Sequence, residues 1–235
     1  MENTFTRTIW LIGEEKYEIL KNANILIFGL GGVGGYALEA LARSGVENFT
    51  IVDADIVNPS NINRQIIANN NSIGKNKTEA FKERLLSINN NINIDIRTMF
   101  VSEENIDTFD FNKYDYIIDA IDSVKSKIAI IKKATDLNIK IISAMGAGNK
   151  INPTFLEVSD IYKTTVDPLA KAVRLQLKKL KIKKLKVVYS KERPIKASDV
   201  VAPSSMIFVP ATMGLIIASE VTKDLIDLKN ETKGA

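Results

Sequence analysis

Residues 24–35, Asn24-Ile25-Leu26-Ile27-Phe28-Gly29-Leu30-Gly31-Gly32-Val33-Gly34-Gly35, decide the fold. The first five form a short apolar run of strand type that stops at a glycine loop. Tyr36 to Ser44, rich in Ala and Leu, reads as a helix, and Phe49 to Val52 as a second strand ending at Asp53-Ala54-Asp55. A lone GxGxxG is weak evidence. Here it follows a strand, opens a helix and has an acid about 20 residues on, the pattern of a nucleotide-binding βαβ unit.

The glycines have separate expected roles. Gly29 allows the turn off the strand, Gly31 and Gly32 let phosphates approach the backbone, and Gly34 lets helix and strand pack closely. The loop's N–H groups and the helix N-terminus then face an anion. Asp53 falls where a carboxylate can accept ribose hydroxyls.

Working outward, residues 3–22 predict a partly buried helix pair around Gly13, with Trp10, Leu11, Tyr17 and Leu20 inside. Asn58 to Arg64 has no helical or strand periodicity. Arg64 lies beyond the carboxyl end of the second strand, the edge where doubly wound sheets bind ligands. A helix reaches from Gly74 to about Ile88, with Ala80, Phe81, Leu85 and Ile88 as its core face. Lys77 in its first turn opposes the helix dipole. An ammonium serving an anion and a plain solvated lysine both fit.

Ile92 to Phe100, Tyr114 to Ala120 and Ile139 to Ser143 read as further strands, with a helix from Val124 to Leu137. Asp122 falls at the carboxyl edge just before that helix. It reads either as the helix N-cap or as a Mg²⁺ ligand facing phosphates. Thr154 to Val158 predicts a strand, Asp167 to Leu180 a helix, Leu185 to Tyr189 a strand, Lys191 to Ser205 a mobile loop, and Ala211 to Leu228 a last helix begun at Pro210. That helix offers Leu215, Ile216, Val221, Leu225 and Ile226 to the sheet or a partner chain. The expected fold is α/β: a doubly wound, Rossmann-like, mainly parallel sheet with helices on both faces and a C-terminal α+β extension. The expected parts are residues 1–23, an N-terminal helical arm; 24–150, the nucleotide-binding unit; and 151–235, the extension.

The 235 residues are 45% hydrophobic, enough for a real core, and contain no Cys and no His. That excludes disulfides, thiolate zinc sites, Cys nucleophiles and every His-dependent triad. No secretory signal pattern and no apolar run long enough for a bilayer are seen, so a cytoplasmic protein is expected. Net charge is +4, yet residues 171–196 hold eleven Lys/Arg and one acid, Glu192, so this segment carries +10 and the rest −6. Within it, Lys171, Arg174, Lys178, Lys179 and Lys181 are candidate contacts to a polyanion such as nucleic acid. Arg174, Lys178 and Lys181 are spaced to share one helix face. A lysine-rich composition alone is the competing account.

The run GLGGVGGYALEALARSGVENFTIVDADIVNPSNINRQ resembles the ThiF-like adenylating enzymes related to ubiquitin-activating enzymes. The later motifs IDAIDSVKSK, SAMGAGNKINPTF and DIYKTTVDPLAKAVR are similar to the tRNA-modifying branch of that family. The resemblance covers residues 5–228. It implies ATP-dependent adenylation of the carboxylate of threonylcarbamoyladenosine beside the tRNA anticodon, followed by closure to a cyclic form. The alternative is adenylation of the C-terminus of a ubiquitin-like sulfur carrier, which would share the ATP site.

By the same resemblance, Gly29, Gly31, Gly32, Gly34, Asp53, Asp55, Asn61, Arg64 and Lys77 belong to the ATP site, with Arg64 on phosphate. Asp122 is the Mg²⁺ ligand, and Arg7 reaches the neighbouring subunit's ATP in a homodimer. Arg7, Arg64, Lys77 and Asp122 are the expected catalytic set. The expected partners, besides tRNA and ATP, include sulfur-transfer or redox helper proteins. Zinc is not expected, because the zinc-binding CxxC pairs of many relatives are missing. Thioester and persulfide chemistry lack their cysteine here as well.

Overall fold

A computed structural model describes residues 4–195 and 203–227. Two short helices, α1 (Thr6–Ile12) and α2 (Glu14–Asn22), meet at Gly13 and lead into β1 (Asn24–Phe28). There follow α3 (Gly34–Ser44), β2 (Asn48–Val52), α4 (Lys77–Ile88), β3 (Asn93–Arg97), β4 (Tyr116–Asp119), α5 (Val124–Asp136) and β5 (Ile141–Ala144). The chain ends with β6 (Leu156–Asp160), α6 (Pro168–Lys179), β7 (Lys186–Ser190) and α7 (Phe208–Leu225).

The seven strands among the described residues form one sheet in the order β3-β2-β1-β4-β5-β7-β6. All neighbours are parallel except β6, which runs antiparallel to β7 at the edge. This is the expected doubly wound α/β sheet, and the antiparallel edge is how the extension joins it. In β1, Ile25 and Ile27 point into the core beneath α3 and α7. Leu26 and Phe28 point into the opposite core beneath α5. A strand buried on both faces reads as a continuous apolar run, which is why β1 was legible.

α7 crosses closely over α3. A Cβ on Gly214 would collide with the Val33 carbonyl and come within 2.8 Å of Tyr36 Cβ. α6 closes with a Schellman motif: Ile182 N–H donates to Leu177 O at 3.0 Å and Lys181 N–H to Lys178 O at 3.2 Å. Lys181 takes the left-handed position, φ 58°, normally given to glycine.

Several expectations shift. Trp10 and Leu11 are 71% and 84% exposed, so of the four expected residues Tyr17 and Leu20 are the ones buried. β6 begins two residues late, because Asn152 Oδ1 accepts from Thr154 N–H and turns residues 153–155 into a 3-10 segment. α7 starts at Phe208, since Pro210 in a first turn has no N–H to lose. Leu215 on α7 is 51% exposed, whereas Val221 and Ile226 are buried. Part of the expected 191–205 loop, the Lys196 cation and the Leu228 helix end lie outside the described residues.

Candidate active site

β1 and β4 lie side by side, and their following helices cover opposite faces of the sheet. Their carboxyl ends therefore mark the topological switch point, where open α/β sheets bind ligands. A cleft of about 360 Å³ opens there. It is lined by Gly29, Gly31, Gly32, Asp53, Asp55, Asn61, Arg64, Lys77 and Asp122, among others, which brings nearly all the predicted residues together.

Gly29 has φ +89°, and a Cβ on it would lie 2.7 Å from the Ala120 carbonyl oxygen. Both facts require glycine. Gly34 lies behind the cleft, where a Cβ would collide with the Gly29 carbonyl and α3 could not start. A Cβ on Gly31 would meet only Gln65 Nε2, at 3.9 Å, so it would stand in the cleft. Gly32 is tighter, at 3.2 Å from both Arg64 O and Pro210 Cβ. Among the described residues nothing accepts from the Gly31 and Gly32 N–H groups. With the N-terminus of α3 beside them, they form an anion-facing surface.

Asp53 is largely buried at the end of β2. Its Oδ2 accepts from Leu30 N–H at 2.6 Å and its Oδ1 from Asp55 N–H at 2.8 Å. It thus holds the glycine loop to β2. Burial raises its pKa, while Lys77 and these two amides pull it down less strongly. Lys77, at the start of α4, is only 4% exposed, so it is not the plain solvated lysine. Its Nζ lies 2.6 Å from Asp55 Oδ2 and 3.9 Å from Asp53 Oδ1. A cation buried at a helix N-terminus is held there by two carboxylates of the cleft.

Asn61 closes a 3-10 turn over Pro59–Asn61 and accepts from Asn58 N–H at 3.0 Å. That turn carries Arg64, whose Nη1 donates to Ser60 O at 2.9 Å and Asn63 Oδ1 at 3.0 Å. Asp122 is exposed, and among the described residues its carboxylate has no partner. It is not the N-cap of α5. Ser123 fills that role, accepting from Ser126 N–H, which leaves Asp122 free to face the cleft. Beneath it, Lys127 Nζ reaches Asp119 Oδ2 at 2.8 Å, with both side chains fully buried. Asp119 Oδ1 accepts from Ile121 N–H at 3.3 Å, so this pair steadies the loop that carries Asp122.

Arg7 is exposed on α1 and does not line the cleft of its own chain. The basic segment lies apart from the cleft, and two of its members depart from expectation. Arg174 Nη1 donates to Thr164 O at 3.0 Å, Thr164 Oγ1 at 2.5 Å and Ile161 O at 3.3 Å, so it props a backbone turn. Lys181 follows the end of α6 and shares no helix face with Arg174 and Lys178. Lys171, Lys178 and Lys179 are exposed on α6, without ion pairs among the described residues. Sequence reasoning passed over Asn58 and Gln65 as cleft-lining residues. Gln65 is buried, with an Oε1 that has no hydrogen-bond partner among the described residues. Its place directly after Arg64 was the available signal.

The ThiF family model matches residues 5–234. The Bacillus subtilis protein named tRNA threonylcarbamoyladenosine dehydratase is 40% identical over 243 residues, covering 96% of each chain. The Escherichia coli protein of the same name has been solved in complex with ATP. That structure superposes with TM-score 0.91 at 34% identity, covering 98% of this chain and 96% of the other. The same protein with AMP gives TM-score 0.91 at 33% identity, covering 97% and 96%. With likeness of sequence and fold over almost its whole length, the chain belongs to the ThiF family.

Proposed function

We propose that the protein uses ATP to adenylate the carboxylate of threonylcarbamoyladenosine in tRNA and then closes the activated group to its cyclic form. The observation that carries this reading is the convergence of Arg64, Lys77 and Asp122, which is unpartnered among the described residues, on a glycine loop whose Gly31 and Gly32 N–H groups have no acceptor there. Such a set suits a triphosphate. The two like-named relatives, and the ATP found in one of them, support the same assignment.

In this reading Asp53 and Asp55 sit at the ribose end, with Asn61 shaping the wall between. Arg64 and Lys77 neutralise charge as the substrate carboxylate oxygen attacks the α-phosphorus and pyrophosphate leaves. A nitrogen or oxygen of the same side chain then attacks the acyl carbon. AMP departs with the carboxylate oxygen, which is the net loss of water. No protein nucleophile is needed, in accord with a chain that has no Cys and no His. The residues hold geometry and balance charge, and orientation of an intramolecular step can lower a barrier by roughly 7–11 kcal/mol.

Asp122 fits a Mg²⁺ ion, which takes one or two carboxylates plus substrate phosphates. Among the described residues no cluster of three metal-ligating side chains occurs, so phosphate oxygens would complete the shell. The ion would supply charge neutralisation at the triphosphate. Arg7 serves the site of a second copy in a homodimer, and helper proteins for sulfur or electron transfer would act on this system from outside the fold. The three parts have separate tasks: residues 1–23 reach the partner, 24–150 hold ATP, and 151–235 meet tRNA. No helix among the described residues is long and apolar enough to cross a membrane. A cytoplasmic location is part of this proposal, in keeping with a tRNA-modifying role. Pyrophosphate release measured with and without substrate tRNA tests the reading. Release that is indifferent to tRNA but stimulated by a ubiquitin-like protein would overturn it.

A further inference from the structure

Beside the nucleotide cleft lies a second cavity of about 530 Å³, within the roughly 300–1,000 Å³ range of ligand pockets. The two share Gly32, Val33, Arg64, Ala120, Ile121 and Asp122, so the cavity opens onto the phosphate-facing end of the cleft. Its far wall is largely apolar, with Met145, Ala147, Leu169, Pro194 and Pro203 among its lining residues.

The cavity is a built one. Lys150, buried, donates from Nζ to Gly146 O at 2.5 Å and Asp167 Oδ2 at 2.7 Å. Asp167 in turn caps α6, accepting from Ala170 N–H at 2.8 Å. The pair fastens the 144–150 loop to the start of α6. Asn149, in a left-handed conformation at φ 59°, fastens the same loop to the outer walls. Its carbonyl accepts from Ile195 N–H at 2.7 Å, and its Oδ1 from Ser204 N–H at 2.8 Å. Asn63, next to Arg64, donates to Ser205 O at 2.9 Å.

α6 ties this cavity to the basic segment. Pro168 and Leu169 line the cavity, and the twelve-residue helix ends at Lys179. At 1.5 Å per residue its ends stand about 18 Å apart. The far end carries Lys178, Lys179 and Lys181, which are exposed and, among the described residues, without ion pairs. One helix therefore joins an apolar chamber beside the phosphate site to a cluster of unpaired cations.

We propose that this chamber seats the acyl-bearing nucleoside of the RNA, its base against Ala147 and Leu169 and its carboxylate directed past Arg64 and Asp122 toward the cleft, while the end of α6 grips neighbouring backbone phosphates. The proposal rests on the reading that the enzyme acts on tRNA.

Filling the chamber from two sides tests it. Ala147→Phe and Leu169→Trp should each raise the KM for substrate tRNA by about tenfold or more, with the ATP Kd and Tm near wild type. Hydrogen exchange on the wild-type protein gives a second measurement that no folding defect can spoil. Substrate tRNA with a non-hydrolysable ATP analogue should protect residues 145–150 and 168–170. Wild-type KM in both variants, or protection confined to residues 171–184, would overturn the chamber. A wild-type enzyme that releases no pyrophosphate with tRNA would instead overturn the underlying reading.

Discussion

Lys77 and Asp55 form a 2.6 Å ion pair in which the lysine is buried and the carboxylate is mostly exposed. The pair sits at the cleft, so an anion entering there meets a cation already dehydrated and aimed. Asp53, 3.9 Å away, shares it. Lys77→Ala should lower kcat by roughly 10²-fold, as loss of a transition-state charge stabiliser does. Single-turnover pyrophosphate release measures this step directly. A variant that changed tRNA affinity alone would remove Lys77 from the chemistry.

Gly31 gives the cleanest probe of the glycine loop, because a side chain there meets almost nothing in the protein. Gly32 is a poorer one, since a Cβ would press on the Arg64 segment and α7. Gly31→Val should leave Tm near wild type and abolish ATP binding by calorimetry, because the methyls occupy the space where phosphate meets the backbone amides. Normal ATP affinity in this variant would move the nucleotide elsewhere.

Most of the glycine and polar residues that line this cleft were legible from sequence. A parallel strand buried on both faces leaves an unbroken apolar run, and a phosphate-facing turn needs glycines at fixed spacing. Both are local demands. Missed features depend on contacts between distant segments. Nothing local marks Arg174 as a prop for Thr164, or sets Trp10 outside while Tyr17 lies within. Asp122 and Ser123 are both good N-caps, and only the fold decides that Ser123 takes the role. Lys181 sits where glycine is expected, so the end of α6 carried no glycine signal.

Glu39 on α3 offers a pH test of the scaffold. Arg84 Nη2 donates to its Oε1 at 2.9 Å, and Arg43 Nε does so at 2.9 Å. Burial alone would raise its pKa, but these hydrogen bonds outweigh burial and hold the carboxyl below its ordinary 4.5. A depressed folded pKa stabilises above the unfolded value, and that stability is lost as pH falls through the folded one. Glu39→Gln should therefore cost about 1–3 kcal/mol at pH 7. The gap to wild type should narrow below the ordinary carboxylate range. Denaturant unfolding at neutral and acid pH checks this, and a constant gap would show that the charge plays no part.

Arg7 is exposed and absent from its own cleft, as a residue serving a partner's site should be. Mixing Arg7→Ala with Asp122→Ala protein in equal amounts should restore roughly a quarter of wild-type activity, because half the dimers are mixed and each has one intact site. Native mass spectrometry would verify mixed dimers. If they form and activity stays absent, Arg7 does not act across the interface.

The basic segment separates into cations that hold the fold and cations that face outward. Arg174 belongs to the first group through Thr164 and Ile161, and Lys186 through Glu220 and Asp224, each at 2.7 Å. Lys178, Lys179 and Lys181 belong to the second. Each phosphate neutralised releases condensed counterions, so log affinity for tRNA should fall linearly with log salt. Replacing Lys178 and Lys179 by Gln and Lys181 by Asn keeps the helix and suits the left-handed turn at residue 181. This triple variant should flatten the salt slope by roughly 2–3 units and leave the ATP Kd unchanged. Arg174→Ala should do the reverse, lowering Tm with little change in slope. Filter binding across a salt series on the wild type and both variants decides the matter. A triple variant with the wild-type slope would mean that these lysines are a solvated face of a lysine-rich protein and that the RNA backbone docks elsewhere.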